Sequence, residues 1–240
     1  MSEHTSPYSA QLDGLCRDLV TQADVVESIV EEVVESVFTR DAALARSIGD
    51  KDEKIDREDV RIEREAVRLL SGALRDGGEP SGFTEREVRL ILTVVKVNNE
   101  YERIADLAVN VADQIEAFLS LPEPMPARFR VMANSVIGMV VGVNRAFASM
   151  DAQSARSVLM SYDATAAFQD ELLRDVAQRV ASGADSVEYA FAAQMVIASL
   201  ARMADHCTNI AEQVIYVATG KIVRHLPEGW SEPMEPRDGE

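Results

Sequence analysis

Apolar positions recur every three or four residues along most of this 240-residue chain, the period of amphipathic helices. The pattern is sharpest around residues 94–115, where Val94, Val97, Tyr101, Ile104, Ala108, Val111 and Ile115 form one stripe. Beside it, at the same spacing, runs a line of Asn99, Glu102, Asp106, Asn110 and Asp113. Oxygen-bearing side chains this close to a core stripe are expensive to desolvate unless something compensates them. The pattern occurs twice. A shift of 99 places sets Asp205 on Asp106, Asn209 on Asn110, Glu212 on Asp113, Arg202 on Arg103 and Met203 on Ile104. The apolar stripe follows as Ala193, Val196, Leu200, Met203, Cys207, Ile210 and Val214. An apolar line and a polar line kept in phase indicate an internal duplication.

The spacing predicts six helices. The first covers about 8–46, with a break at Gly49 and Asp50 and with Asp50 or Asp52 as the N-cap of the second, which runs to about Leu74. A Gly-rich turn at 77–82 precedes the third, opened by the capping pair Thr84 and Glu87 and ended before Pro122. The Pro-rich stretch 121–126 separates the halves. The last three helices cover about 127–150, 152–180 and 186–219, with Gly220 as the terminating residue. No segment alternates with period two, so no sheet is expected. The expectation is an all-α protein of two repeated three-helix bundles, 8–120 and 127–220, packed side by side, with 221–240 lacking fixed structure.

With 24 Lys and Arg against 41 Asp and Glu, the net charge is −17, which argues against nucleic-acid binding and suits cations or a basic partner, although solubility alone would account for it. The N-terminus has neither a basic start nor an apolar run, and the longest nearly apolar run, 131–143, is too short to span a bilayer. A cytoplasmic protein without membrane insertion is expected. Two cysteines, Cys16 and Cys207, both at apolar positions, read as buried thiols.

Across the 77–82 turn, antiparallel helices two and three bring Asp56 opposite Glu102 and Asp52 opposite Asp106. Four carboxylates converging this way repel unless a cation cancels their charge, and all-oxygen donors suit hard ions such as ferric iron, manganese, magnesium or calcium. Asp52 and Asp56 could equally be solvated first-turn residues, and Arg103 and Arg202 could pair with the acids. His206, beside Asp205, is a weaker ligand candidate. In the second half the same construction sets Asp163 opposite Asp205 and Ala167 opposite Ala201, which makes the first half the better site. No nucleophile triad, phosphate loop or CxxC is present, and the lack of ExxH pairs argues against a redox enzyme.

The stretches YERIADLAVNVAD (101–113) and ARMADHCTNIAEQVIYVATG (201–220) resemble the signature helices of the PhoU family, and DKDEKIDREDVRIEREAVRLL (50–70) resembles its second helix. Asp41 and Asp151, at the ends of the first helices of the two repeats, fit as well. The resemblance implies a six-helix fold without catalysis and a regulator that restrains phosphate uptake and starvation signalling. It implies the ATPase of a phosphate ABC transporter and a sensor histidine kinase as partners, and iron or zinc clusters held through E/DxxxD motifs. Manganese or magnesium is an alternative ion, and a homodimer is the expected assembly. Ala201 departs from the family pattern, which is acidic there, as does the Pro-rich tail with Trp230. The competing reading is a metal-homeostasis protein, or an accessory to another phosphate or divalent-cation permease.

Overall fold

A computed structural model describes residues 8–75, 82–121, 125–226 and 229–231. Among the described residues, the core is built from seven helices: α1 (Ser9–Thr39), α2 (Ala42–Arg75), α3 (Glu85–Ala112), the short α4 (Ile115–Ser120), α5 (Ala127–Ser149), α6 (Ala152–Ala181) and α7 (Val187–Thr219). The protein is all-α, with α1, α2 and α3 packed on one another and α5, α6 and α7 forming the matching group.

Both halves turn their first corner in the same way. Arg40 and Met150 take left-handed backbone with φ of 54° and 50°. The next residues, Asp41 and Asp151, accept hydrogen bonds from the first free N–H groups of α2 and α6, which is how a side-chain cap satisfies a helix end. Gly49 and Asp50 therefore lie inside α2, and neither Asp50 nor Asp52 caps it. A single glycine costs a helix only about 1 kcal/mol, less than the capped corner at Asp41 supplies together with the packing on either side of it.

The Thr84–Glu87 capping box opens α3, and Gly220, at φ 76°, closes α7. The third helix is not continuous to Pro122: it stops at Ala112, and α4 follows after a turn. Of the expected turn at 77–82, all but Gly82 lies outside the described residues, as do residues 122–124 of the Pro-rich stretch.

The expectations of no sheet and of a structureless 221–240 need correction. Strands β1 (Arg224–Leu226) and β2 (Gly229–Ser231) pair antiparallel, with His225 opposite Trp230. Three-residue strands are too short to print an alternating pattern. Val223, just before them, is fully buried, which seats the hairpin on the helices. Residues 227–228 and 232–240 lie outside the described residues.

The two groups join through α3 against α7 and α1 against α5. Helices α3 and α7 run antiparallel, with Arg89 over the ring of Tyr216 and Glu100 beside His206. Both apolar stripes read from the sequence are buried at this junction, with no member more than 2% exposed, and each large side chain so buried contributes about 1.5–3 kcal/mol. Helix α5 is long and apolar enough to cross a membrane by composition. Its Phe129, Met132, Val136, Met139, Val140, Val143 and Phe147 are instead core residues.

One polar network crosses this core. The buried Tyr101 hydroxyl donates to Asn144 Oδ1 at 2.8 Å, and Asn144 Nδ2 donates to Ala23 O at 3.1 Å and Glu27 Oε2 at 2.8 Å. It ties α3, α5 and α1 together at one level. Tyr101→Phe leaves Asn144 Oδ1 buried without its donor, which costs about 1–3 kcal/mol. The expected outcome is a lower urea midpoint with an unchanged slope; a wild-type midpoint would show that the bond contributes nothing.

Candidate metal-binding face of the first repeat

The first repeat presents its acidic residues along the α2–α3 seam. Asn98 fixes the register of the two helices: its Nδ2 donates to Asp59 Oδ1 at 2.6 Å and to Asp59 O at 3.0 Å. Asp52, Asp56, Glu102 and Asp106 follow from that rung toward the α3 C-terminus. The electrostatics show the convergence. The Asp52 carboxyl is pushed up to about 6, first by burial and then by Asp56, Asp106 and Glu53. Glu102 is raised by burial, then by Asp106 and Asp59, with Arg103 opposing and Asp56 adding. Burial, Glu63 and Asp56 raise Asp59, against the Asn98 hydrogen bond.

Asp59 and Asn98 thus extend the set that the sequence suggested. The signal was available: Asp59 continues the Asp52–Asp56 series three residues on, and Asn98 stands four residues before Glu102 on the same face. Asp113, by contrast, ends up as the C-cap of α3, where it lines a recess with Ala42, Ala45 and Arg46 at the start of α2.

The alternatives resolve in part. Asp52 is not a freely solvated first-turn residue, because α2 begins ten residues earlier and Asp52 Oδ1 is buried with no hydrogen-bond partner. Arg103 donates its Nε to Asn99 Oδ1 at 3.2 Å, and its charge only partly offsets that of the acids around Glu102. His206 lies across the α3–α7 junction, its Nδ1 at 2.6 Å from Glu100 Oε2, an oxygen that also accepts from Asn209 Nδ2 at 3.0 Å.

Among the described residues, no three carboxylate, imidazole or thiol side chains stand together as a closed ligand set. The donor chemistry nevertheless fits a hard cation: every candidate is an oxygen, the charges are only partly compensated by Arg103, and the orphaned Asp52 Oδ1 is an acceptor that an ion would satisfy.

The second repeat is built differently from its expected form. Tyr162, not Asp163, meets Asp205, its hydroxyl donating to Oδ1 at 2.7 Å. A recess there is lined by Ala166, not Ala167, together with Ala201. The sequence construction was one residue out of register because it took residue 184 as the centre of a turn whose left-handed residue is Gly183.

Fold and seam together define a duplicated helical protein with an acidic seam in its first repeat. The PhoU domain matches residues 19–115 and 129–214, and the chain belongs to the PhoU family. The phosphate-specific transport system accessory protein PhoU homolog 1 of Thermotoga maritima is 27% identical over 234 residues, spanning 96% of this chain and 97% of that protein. The corresponding homolog of Pseudomonas aeruginosa is 28% identical over 230 residues, spanning 94% and 91%. Two crystal structures share the fold. The phosphate transport system regulatory protein PhoU of Streptococcus pneumoniae superposes with a TM-score of 0.82 at 19% identity, covering 90% of this chain and 99% of that one. PhoU of P. aeruginosa gives 0.81 at 26%, covering 89% and 99%.

The raised carboxyls set a pH dependence. Between the ordinary Asp value of 3.8 and about 6, folded Asp52 holds a proton that the unfolded chain releases, so its contribution to stability falls as pH rises through that window. Asp52→Asn removes the repulsion. In chelator-treated protein the variant is expected to melt above wild type at pH 7, the gap closing below about pH 4 as both chains become uncharged there. A gap that is constant with pH, followed by circular dichroism melting, contradicts this.

Proposed function

We propose that this chain is a negative regulator of phosphate uptake and of phosphate-starvation signalling, a cytoplasmic adaptor without catalytic activity. The observation that carries the reading is the PhoU match over both repeats, with relatives named as accessory proteins of the phosphate-specific transport system. In this reading the protein acts by contact. Its partners are the ATPase of a phosphate ABC transporter and a sensor histidine kinase, and it works as a homodimer.

The acidic face of the first repeat is the part of the molecule that senses an ion. Asp52, Asp56, Glu102 and Asp106 hold a divalent or trivalent metal, with iron, zinc, manganese and magnesium all suited to oxygen donors to differing degrees. The bound ion supplies positive charge that cancels the repulsion along the α2–α3 seam. The chain's own residues do the positioning. Asn98 holds Asp59 and the helix register, and the buried stripes behind the seam keep both helices from moving apart.

The raised Asp52 carboxyl also favours a second reading, a metal-homeostasis protein or an accessory to another phosphate or divalent-cation permease. Deletion separates the two. Loss of the gene is expected to switch on a phosphate-starvation reporter in phosphate-rich medium. An unchanged reporter in a strain lacking any paralogue rejects the regulatory reading, and altered metal tolerance in the same strain supports the second.

A further inference from the structure

The buried faces of α2 and α6 match under a shift of 110 places, the same shift that sets Asp41 on Asp151. Ala45, Ile48, Ile55, Ile62 and Ala66 fall on Ala155, Val158, Thr165, Leu172 and Val176, all buried. Helix α3 falls on α7 under the shift of 99. These two registers give each acidic residue of the first repeat its counterpart. Asp52 becomes Tyr162, Asp56 becomes Ala166, Asp59 becomes Gln169, Glu102 becomes Ala201, and only Asp106 keeps its carboxylate, as Asp205. Those five counterparts line one recess, so the geometry of the seam survives while its five carboxylates are reduced to one.

We infer that the second repeat carries a cation-independent copy of the first repeat's metal face, in which the Tyr162 hydroxyl takes the place of the ion on Asp205. The inference rests on the cation reading of the first repeat. The hydroxyl stands 2.7 Å from Asp205 Oδ1, where it satisfies the one carboxylate that remains. Its proton is secure: burial, and then Asp205, push the phenol up to about 12.

The other polar residues along the α7 line turn toward other partners. Asn209 is held against the first repeat by the bond from its Nδ2 to Glu100, and Glu212 pairs with Arg224 at the start of the hairpin. One carboxylate with a carboxamide and a phenol nearby lacks both the charge and the ligand number that a hard cation needs. Loss of Ala201's acid alone would leave facing acids on α6 stranded. Here the α6 acids are absent too, and a donor has been installed, so the substitutions are mutually consistent.

Equilibrium dialysis of the full chain against manganese(II), and separately zinc(II), with bound metal counted by mass spectrometry, tests this. Asp205→Ala and Tyr162→Phe are each expected to leave bound metal unchanged, whereas Glu102→Ala with Asp106→Ala lowers it at least tenfold. The triple change Tyr162→Asp, Ala166→Asp and Ala201→Glu is expected to double the metal bound per chain. A fall to half or less on Asp205→Ala alone overturns the inference and leaves the cation reading standing. A folded triple variant, judged by its helical melt, that gains no metal also overturns it. Should that variant fail to fold, the single changes decide. Wild-type protein that binds neither ion overturns the cation reading itself, and the inference with it.

Discussion

The antiparallel packing of α3 on α7 is the contact on which everything else depends. Each helix brings its apolar stripe to the core, and no member of either stripe is more than 2% exposed. Water excluded there supplies the bulk of the association between the two halves. Polar contacts then set the register: Glu100 to His206 and Asn209, and Arg89 on Tyr216. An unmade bond among these would cost more than a made bond contributes, so they select one alignment from the several that an apolar seam alone would tolerate.

With the stripes committed to the junction, the residues beside them have a fixed direction. The acids of α3 are held at the edge of the core and must face α2. Burial, and after it the repulsion among the acids of α2 and α3, is a cost borne by the first repeat in the absence of a counter-charge, visible in the raised carboxyls of Asp52, Asp59 and Glu102. The second repeat has relieved the same cost with neutral side chains and a tyrosine hydroxyl. Two solutions to one electrostatic problem thus stand in a single chain.

Most of this was legible in the sequence, because helical periodicity is a long-range signal that averages over many residues. The two stripes, the duplication, the Thr84 capping box and Gly220 all came from it. What failed was decided by single residues. Whether a chain breaks at Gly49 or at Arg40 depends on a left-handed residue followed by a capping aspartate, and Asp41 was noticed only through the family resemblance. Facing pairs on helices depend on where a turn is centred, and an error of one residue put Asp163 where Tyr162 stands. The facing pairs of the first repeat survive this test because Asn98 meets Asp59 close to the expected level. The hairpin at 224–231 was invisible because so short a segment has no period to read.

An antiparallel pair of equivalent helices has an approximate twofold axis through its middle, so the molecule presents two surfaces of the same shape. Tyr162, Ala166, Gln169 and Ala201 leave one of them with Asp205 alone where the other carries five carboxylates. To anything that recognises shape alone, the protein has two interchangeable ends. To anything that recognises charge, those two ends differ.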